Sequence, residues 1–177
     1  MRTISVSILT FSELSPTARQ RAKDDYANNH GYSWSEEALA SMASLAQHFG
    51  GAVRNYSIDW FNTTQSWMYF NMPDDMEVDE IRRRLDKLGT FNAETLKGNG
   101  DCAITGVCHD DDAIDGFRIA FIRGGETNLE KLMEAAYTSW LTACQADAAD
   151  QYTDDTFGEH CEANDYEFTE EGKFFRE

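Results

Sequence analysis

TNLEKLMEAAYTSWLTACQADAADQY, residues 127–152, is the stretch that decides the fold. Leu129, Leu132, Met133, Ala136, Tyr137, Trp140, Leu141, Cys144 and Ala148 recur at steps of three and four, which align one face of an α-helix. Thr127-Asn128-Leu129-Glu130 has the form of a capping box at its start. The pattern predicts an amphipathic helix of about 24 residues, the strongest helical signal in the chain.

Downstream, Thr153 followed by Asp154 and Asp155 predicts a second, shorter helix, because acids suit the positive end of the helix dipole. That helix is expected to fray near Asn164. The tail YEFTEEGKFF, residues 166–175, reads as a hairpin turning at Glu170-Glu171-Gly172.

Upstream the elements mix. TISVSILTF, residues 3–11, alternates apolar and polar residues as a strand does. Ser15-Pro16 opens a helix to about Asn29, with serine as cap and proline at the first helical position. Ser33 and Glu36 have capping-box spacing ahead of a helix carrying Ala38, Leu39, Met42, Leu45, Ala46 and Phe49, stopped by Gly50-Gly51. Residues 52–72 read as a hairpin turning at Asn62–Gln65, with a register change, because Val53 and Ile58 do not share one alternation. Val78, Ile81, Leu85 and Leu88 mark a short helix whose other face carries Arg82, Arg83, Arg84 and Lys87. Residues 90–108 read as loop with a short buried strand or turn at Cys102–Val107. Residues 110–122 have helical spacing, although IAFI alone fits a strand.

The expected fold class is therefore α+β: a small antiparallel sheet packed against several helices, one of them the long C-terminal amphipathic helix. A length of 177 residues with 41% hydrophobic content suits one domain spanning 1–177 with a real core. No stretch approaches the roughly 18–20 apolar residues needed to span a bilayer. The N-terminus lacks a continuous apolar signal core. The expectation is a cytoplasmic protein without membrane association, its four cysteines being free thiols.

The formal charge is −17, unevenly placed. Residues 1–108 carry 14 acids and 10 bases, and the acidic portion 109–177 carries 18 acids and 5 bases. Direct binding of DNA or RNA is disfavoured, whereas a basic protein partner would be attracted. Asp147, Asp150, Asp154, Asp155, Glu159 and Glu162 recur at near-helical steps and are the candidate partner-binding residues. Carboxylates held in such a row can stand in for phosphates. The same pattern also describes an ordinary solvated helix face.

Other chemistry lacks a pattern. Cys102, Cys108-His109 and His160-Cys161 could in principle give four zinc ligands, but C-x5-C is no standard knuckle. The run Asp110-Asp111-Asp112 fails the calcium-loop pattern, since Ala113 and Ile122 fall where ligands are required. It reads better as an acidic helix start. No nucleophile elbow, P-loop or dinucleotide fingerprint occurs. No metal, cofactor or catalytic residue is expected, and the chain reads as non-enzymatic.

TFSELSPTARQRAKDDY (10–26) and CEANDYEFTEEGKFF (161–175), with the helix NLEKLMEAAYTSWLTACQADAADQY (128–152), resemble segments of small phage and prophage proteins. Together they cover less than half of the chain. The resemblance implies a mobile-element origin. In size, charge and lack of catalytic motif the chain is similar to anti-restriction and anti-CRISPR inhibitors, which bind basic nucleic-acid channels or block assembly of a defence complex. The expected function on that basis is inhibition of a bacterial defence or other nucleic-acid-binding protein in the host bacterial cytoplasm, by DNA mimicry or by a specific interface. The arginine cluster at 82–84 departs from whole-surface mimicry and favours the specific interface. Two alternatives stay open: a structural or regulatory phage protein with another protein partner, and a small enzyme or metal protein.

Overall fold

The computed structural model describes residues 7–89, 91–92, 97–98, 103–105 and 109–175. The expected strand residues Thr3–Val6 lie outside them, as do Cys102, Gly106, Val107 and Cys108. Helices α1 (Pro16–His30), α2 (Ser35–His48), α3 (Val78–Asp86), α4 (Asp110–Ile122), α5 (Leu129–Gln151) and α6 (Asp154–Ala163) dominate. The strands β1 (Ile8–Leu9), β2 (Ala52–Ser57), β3 (Trp67–Asn71), β4 (Phe91–Asn92), β5 (Lys97–Gly98) and β6 (Phe168–Thr169) form three two-stranded antiparallel sheets, pairing β1 with β6, β2 with β3 and β4 with β5. The fold is α+β, and the sheet surface is divided among separate ribbons.

The chain divides into two compact units, residues 1–33 with 147–177 and residues 34–146, with α5 running through the boundary.

The smaller unit closes the two chain ends on each other. Ser15 caps α1 through Oγ, which accepts from the Ala18 amide at 3.3 Å, and Pro16 occupies the first turn. Buried Phe11, Leu14, Ala18, Ala22, Phe157, Cys161 and Phe168 make one cluster, with Tyr26, Tyr152, Tyr166 and Phe174 packed on it. Phe11 meets Phe157 edge-on, with ring centroids 5.2 Å apart. The tail does turn, with Thr169 N–H donating to the Lys173 carbonyl, and Phe168 pairs with both Leu9 and Phe174. Gly172 makes that turn possible: its φ is +81°, and a Cβ there would run into the Ala18 carbonyl.

In the larger unit α2 ends as expected. Gly50, at φ +82°, donates to the Gln47 carbonyl and Gly51 to that of Ala46, a Schellman closure. Its start differs from the expected Ser33–Glu36 box: Trp34 is the N-cap and no side chain caps the helix. The start of α5 differs too. Asn128, one residue after Thr127, caps the helix, its Oδ1 accepting from the Lys131 amide, while Glu126 Oε1 accepts from the amides of Thr127 and Asn128. Glu126 thus performs from upstream the role assigned to Glu130. The β2–β3 hairpin carries its register shift between Val53 and Asn55. Phe49 stacks on Phe117 at 4.4 Å, and Met42, Leu45, Ile81, Ile114, Leu132, Met133 and Trp140 are fully buried.

Two charged groups are built into this unit's interior. Asp110 is fully buried at the start of α4 and accepts from the amides of Ile104 and Thr105, at 3.0 and 2.6 Å, and from Thr105 Oγ1 at 3.0 Å. It is a clasp on the 103–105 turn as well as an acidic helix start. Arg118, 3% exposed, donates to the carbonyls of Leu85, Leu88 and Gly89, closing the C-terminal end of α3. Residues 90–98, expected as loop, contain the β4–β5 pairing.

Candidate protein-binding groove

The candidate site lies in the smaller unit, along α6. Thr153 caps this helix, its Oγ1 accepting from the Thr156 amide at 3.3 Å, and Asp154 and Asp155 occupy the first turn. This is the start that the sequence predicts. A groove of about 650 Å³ runs beside the helix. It is lined by six carboxylates: Asp154, Asp155, Glu159, Glu162, Asp165 and Glu167. Phe11, Gly158, Cys161 and Tyr166 line it as well, so part of its wall is apolar, and Arg19 is the one cation in the lining among the described residues.

The six carboxylates are not equivalent. Asp154 faces α1, where Lys23 Nζ lies at 2.5 Å and Arg19 at 3.5 Å. The Lys23 hydrogen bond, with that lysine's charge and Arg19, holds the Asp154 carboxyl below the usual carboxylate range. Arg19 in turn donates to the Ser12 carbonyl at 2.6 Å and lies 5.7 Å over the Phe11 ring. Asp154 therefore ties α6 to α1. Asp155, Glu159 and Glu162 are exposed, and among the described residues none of them has a hydrogen bond or ion pair to a side chain. They sit at i, i+4 and i+7, one helical face, with steps of about one 5.4 Å turn.

Four of the six residues expected from the sequence are thus brought together. The other two are not part of the groove. Asp147 is half-buried and accepts from Tyr32 Oη at 2.6 Å and Gln151 Nε2 at 3.2 Å. Its carboxylate works inside the unit. Asp150 is exposed on α5 and does not line the groove. Asp165 and Glu167 were missed because they follow α6 in the tail, where helical periodicity no longer applies. Asp165 adopts a left-handed backbone, φ +53°, which turns the chain beside the groove.

Behind the groove the aromatic cluster contains polar contacts: the Tyr152 hydroxyl donates to the Gly31 carbonyl at 2.6 Å. Tyr26 Oη lies 3.0 Å from His160 Nε2, and burial, with the neighbouring Tyr166, pushes the Tyr26 phenol up to about 12. Burial likewise pushes the Cys161 thiol up to about 12, so it stays protonated and unreactive at neutral pH. Cys144 is also buried. Cys102 and Cys108 of the considered zinc set lie outside the described residues. Among the described residues no group of three or more His, Cys, Asp or Glu side chains could hold a metal ion.

The basic cluster on α3, in the larger unit, is internally matched. Arg82 pairs with Asp79 at 3.3 Å, and Arg83 and Arg84 both pair with Glu80. Arg84 also donates to the His48 carbonyl at 2.7 Å.

No family model, curated protein or solved structure matches this chain.

Proposed function

We propose that the protein works by binding a basic surface of another protein, of the kind that nucleic-acid-binding defence proteins present to phosphates, and that it inhibits that protein by occupying the surface. One observation carries the reading. Asp155, Glu159 and Glu162 lie on one helical face, in no ion pair among the described residues, along a groove that Arg19, Asp165 and Glu167 also line. A row of carboxylates with no internal partner has a large unused attraction for lysine and arginine side chains. The apolar wall at Phe11 and Tyr166 suits the stems and guanidinium faces of those residues. The chain's charge of −17 adds long-range steering toward a basic partner and repulsion from nucleic acid itself.

The proposed place of action is the bacterial cytoplasm, where such a partner works. No helix among the described residues is long and apolar enough to cross a membrane.

Affinity capture from a bacterial lysate at low and high salt, with mass spectrometry of the retained proteins, tests the reading. The expected result is a nuclease, restriction subunit or CRISPR effector held at low salt and released at high salt. Retention of phage structural proteins, insensitive to salt, would point instead to a structural or regulatory role.

A further inference from the structure

The groove along α6 already seats one guanidinium. Arg19, the one cation among the described residues of its lining, reaches across from α1. Its guanidinium carbon stands 5.7 Å over the Phe11 ring, and its Nη1 lies 3.5 Å from the Asp154 carboxylate. Its Nη2 donates to the Ser12 carbonyl at 2.6 Å. At this end the groove is an aromatic ring, a carboxylate and a backbone carbonyl arranged around a planar cation. The charge there is matched, since Lys23 Nζ also lies 2.5 Å from Asp154.

The other end of the groove carries the same kinds of group. Tyr166 lines it together with Glu162, Asp165 and Glu167. Tyr166 is half-buried and held in place by His160 and Phe174, whose ring centroids lie 5.6 and 5.4 Å from its own. Glu162 and Asp165 are exposed and Glu167 is half-buried, and among the described residues none of the three is in an ion pair. Asp154 and Glu162 are two helical turns apart on α6, about 12 Å along its axis. The two ends are therefore separate places, and Gly158 between them has no side chain to divide the groove.

Carboxylates alone attract lysine and arginine alike, and the ring is what separates them. A guanidinium is planar and weakly hydrated, so it can lie on an aromatic face while its edge donates hydrogen bonds to carboxylates. An ammonium is a compact, strongly hydrated charge that gains less from the ring. The Arg19–Phe11–Asp154 contact shows that this groove accommodates the first arrangement.

Resting on the reading of the groove as the partner-binding surface, we infer that its Tyr166 end is a socket for an arginine side chain of the partner, stacked on the Tyr166 ring and paired with the surrounding carboxylates, and that the socket selects arginine over lysine.

Titration of the full chain with two labelled peptides, alike except that every basic position is arginine in one and lysine in the other, is the test. Wild type is expected to bind the arginine peptide roughly tenfold more tightly. Tyr166→Leu should bring that ratio below about threefold while leaving the lysine affinity as it was, and Tyr166→Phe, which keeps the ring, should preserve it. Glu162→Gln/Glu167→Gln, which leaves the aromatic cluster untouched, should weaken both peptides and the arginine peptide more. Equal affinity of wild type for the two peptides would overturn the socket and leave the groove as a general surface for cations. A preference that survives Tyr166→Leu would overturn it too. If wild type bound neither peptide, the reading of the groove would fall and the socket with it.

Discussion

The two units carry almost the same surplus of acid and handle it in opposite ways. Residues 34–146 hold 18 acids and nine bases, and residues 1–33 with 147–177 hold 14 and six. In the larger unit the charges singled out by the sequence are engaged locally: Arg82, Arg83 and Arg84 pair within α3 or with His48, Arg118 closes the end of α3, and Asp110 clasps a turn. In the smaller unit, among the described residues, only Asp154 of the α6 carboxylates has cations, and both come from α1. Density of charge in a sequence thus locates a surface. Whether that surface is available to a partner depends on what the fold sets opposite each charge.

Phe157→Ala should have the largest effect on this contrast, since it removes a fully buried ring from the cluster that supports α6. A loss of about 3–5 kcal/mol, measured by denaturant unfolding, is expected. In the larger unit Arg118→Leu takes this donor from the carbonyls of Leu85, Leu88 and Gly89, of which Leu85 keeps the Leu88 amide. It should cost about 2–3 kcal/mol by the same measurement. If Arg118 were merely another surface cation, the loss would fall below about 0.5 kcal/mol.

Charge neutralisation separates the units by function. The combined variant Asp155→Asn/Glu159→Gln/Glu162→Gln should weaken binding to a basic partner at least tenfold, about 1.4 kcal/mol, and leave the melting temperature nearly unchanged. Arg82→Gln/Arg83→Gln should leave that binding as it was. The smallest effect belongs to Lys23→Ala, which removes the cation nearest to Asp154. A partly exposed pair of this kind, with the lysine side chain 12% and the carboxylate 48% exposed, contributes about 1 kcal/mol. Because the folded-state carboxyl titrates below its ordinary range, that contribution is present above about pH 4 and disappears as the pH falls through the folded value. Thermal melts of both proteins at pH 7 and pH 2 should therefore differ at the first and converge at the second.

Much of this was legible in residue order because local rules decide it. Ser15-Pro16 and Thr153 fix two helix starts, Gly50-Gly51 fixes an end, and the mismatch of Val53 with Ile58 announces the register shift. The spacing of Asp155, Glu159 and Glu162 gives their common face. What was not legible depends on competition or distance. Thr127 and Asn128 are both competent caps, and Glu126 tips the choice from outside the expected motif. Asp147 reads as one more member of an acidic row until Tyr32, 115 residues away in sequence, takes its carboxylate. The tail's hairpin is visible in sequence, but the pairing of Phe168 with Leu9 at the other end of the chain is not. Asp165 and Glu167 join the groove only because that tail folds back.

The account rests on the α6 carboxylates being the binding surface, and titration of an arginine-rich peptide against wild type and the Asp155→Asn/Glu159→Gln/Glu162→Gln variant, across a range of salt, tests this most directly. Wild type should bind with an affinity that falls steeply with salt, and the variant should bind at least tenfold more weakly with a flatter salt dependence. Equal affinities with equal salt slopes would contradict the account and leave the acidic face of α6 as a solvated surface.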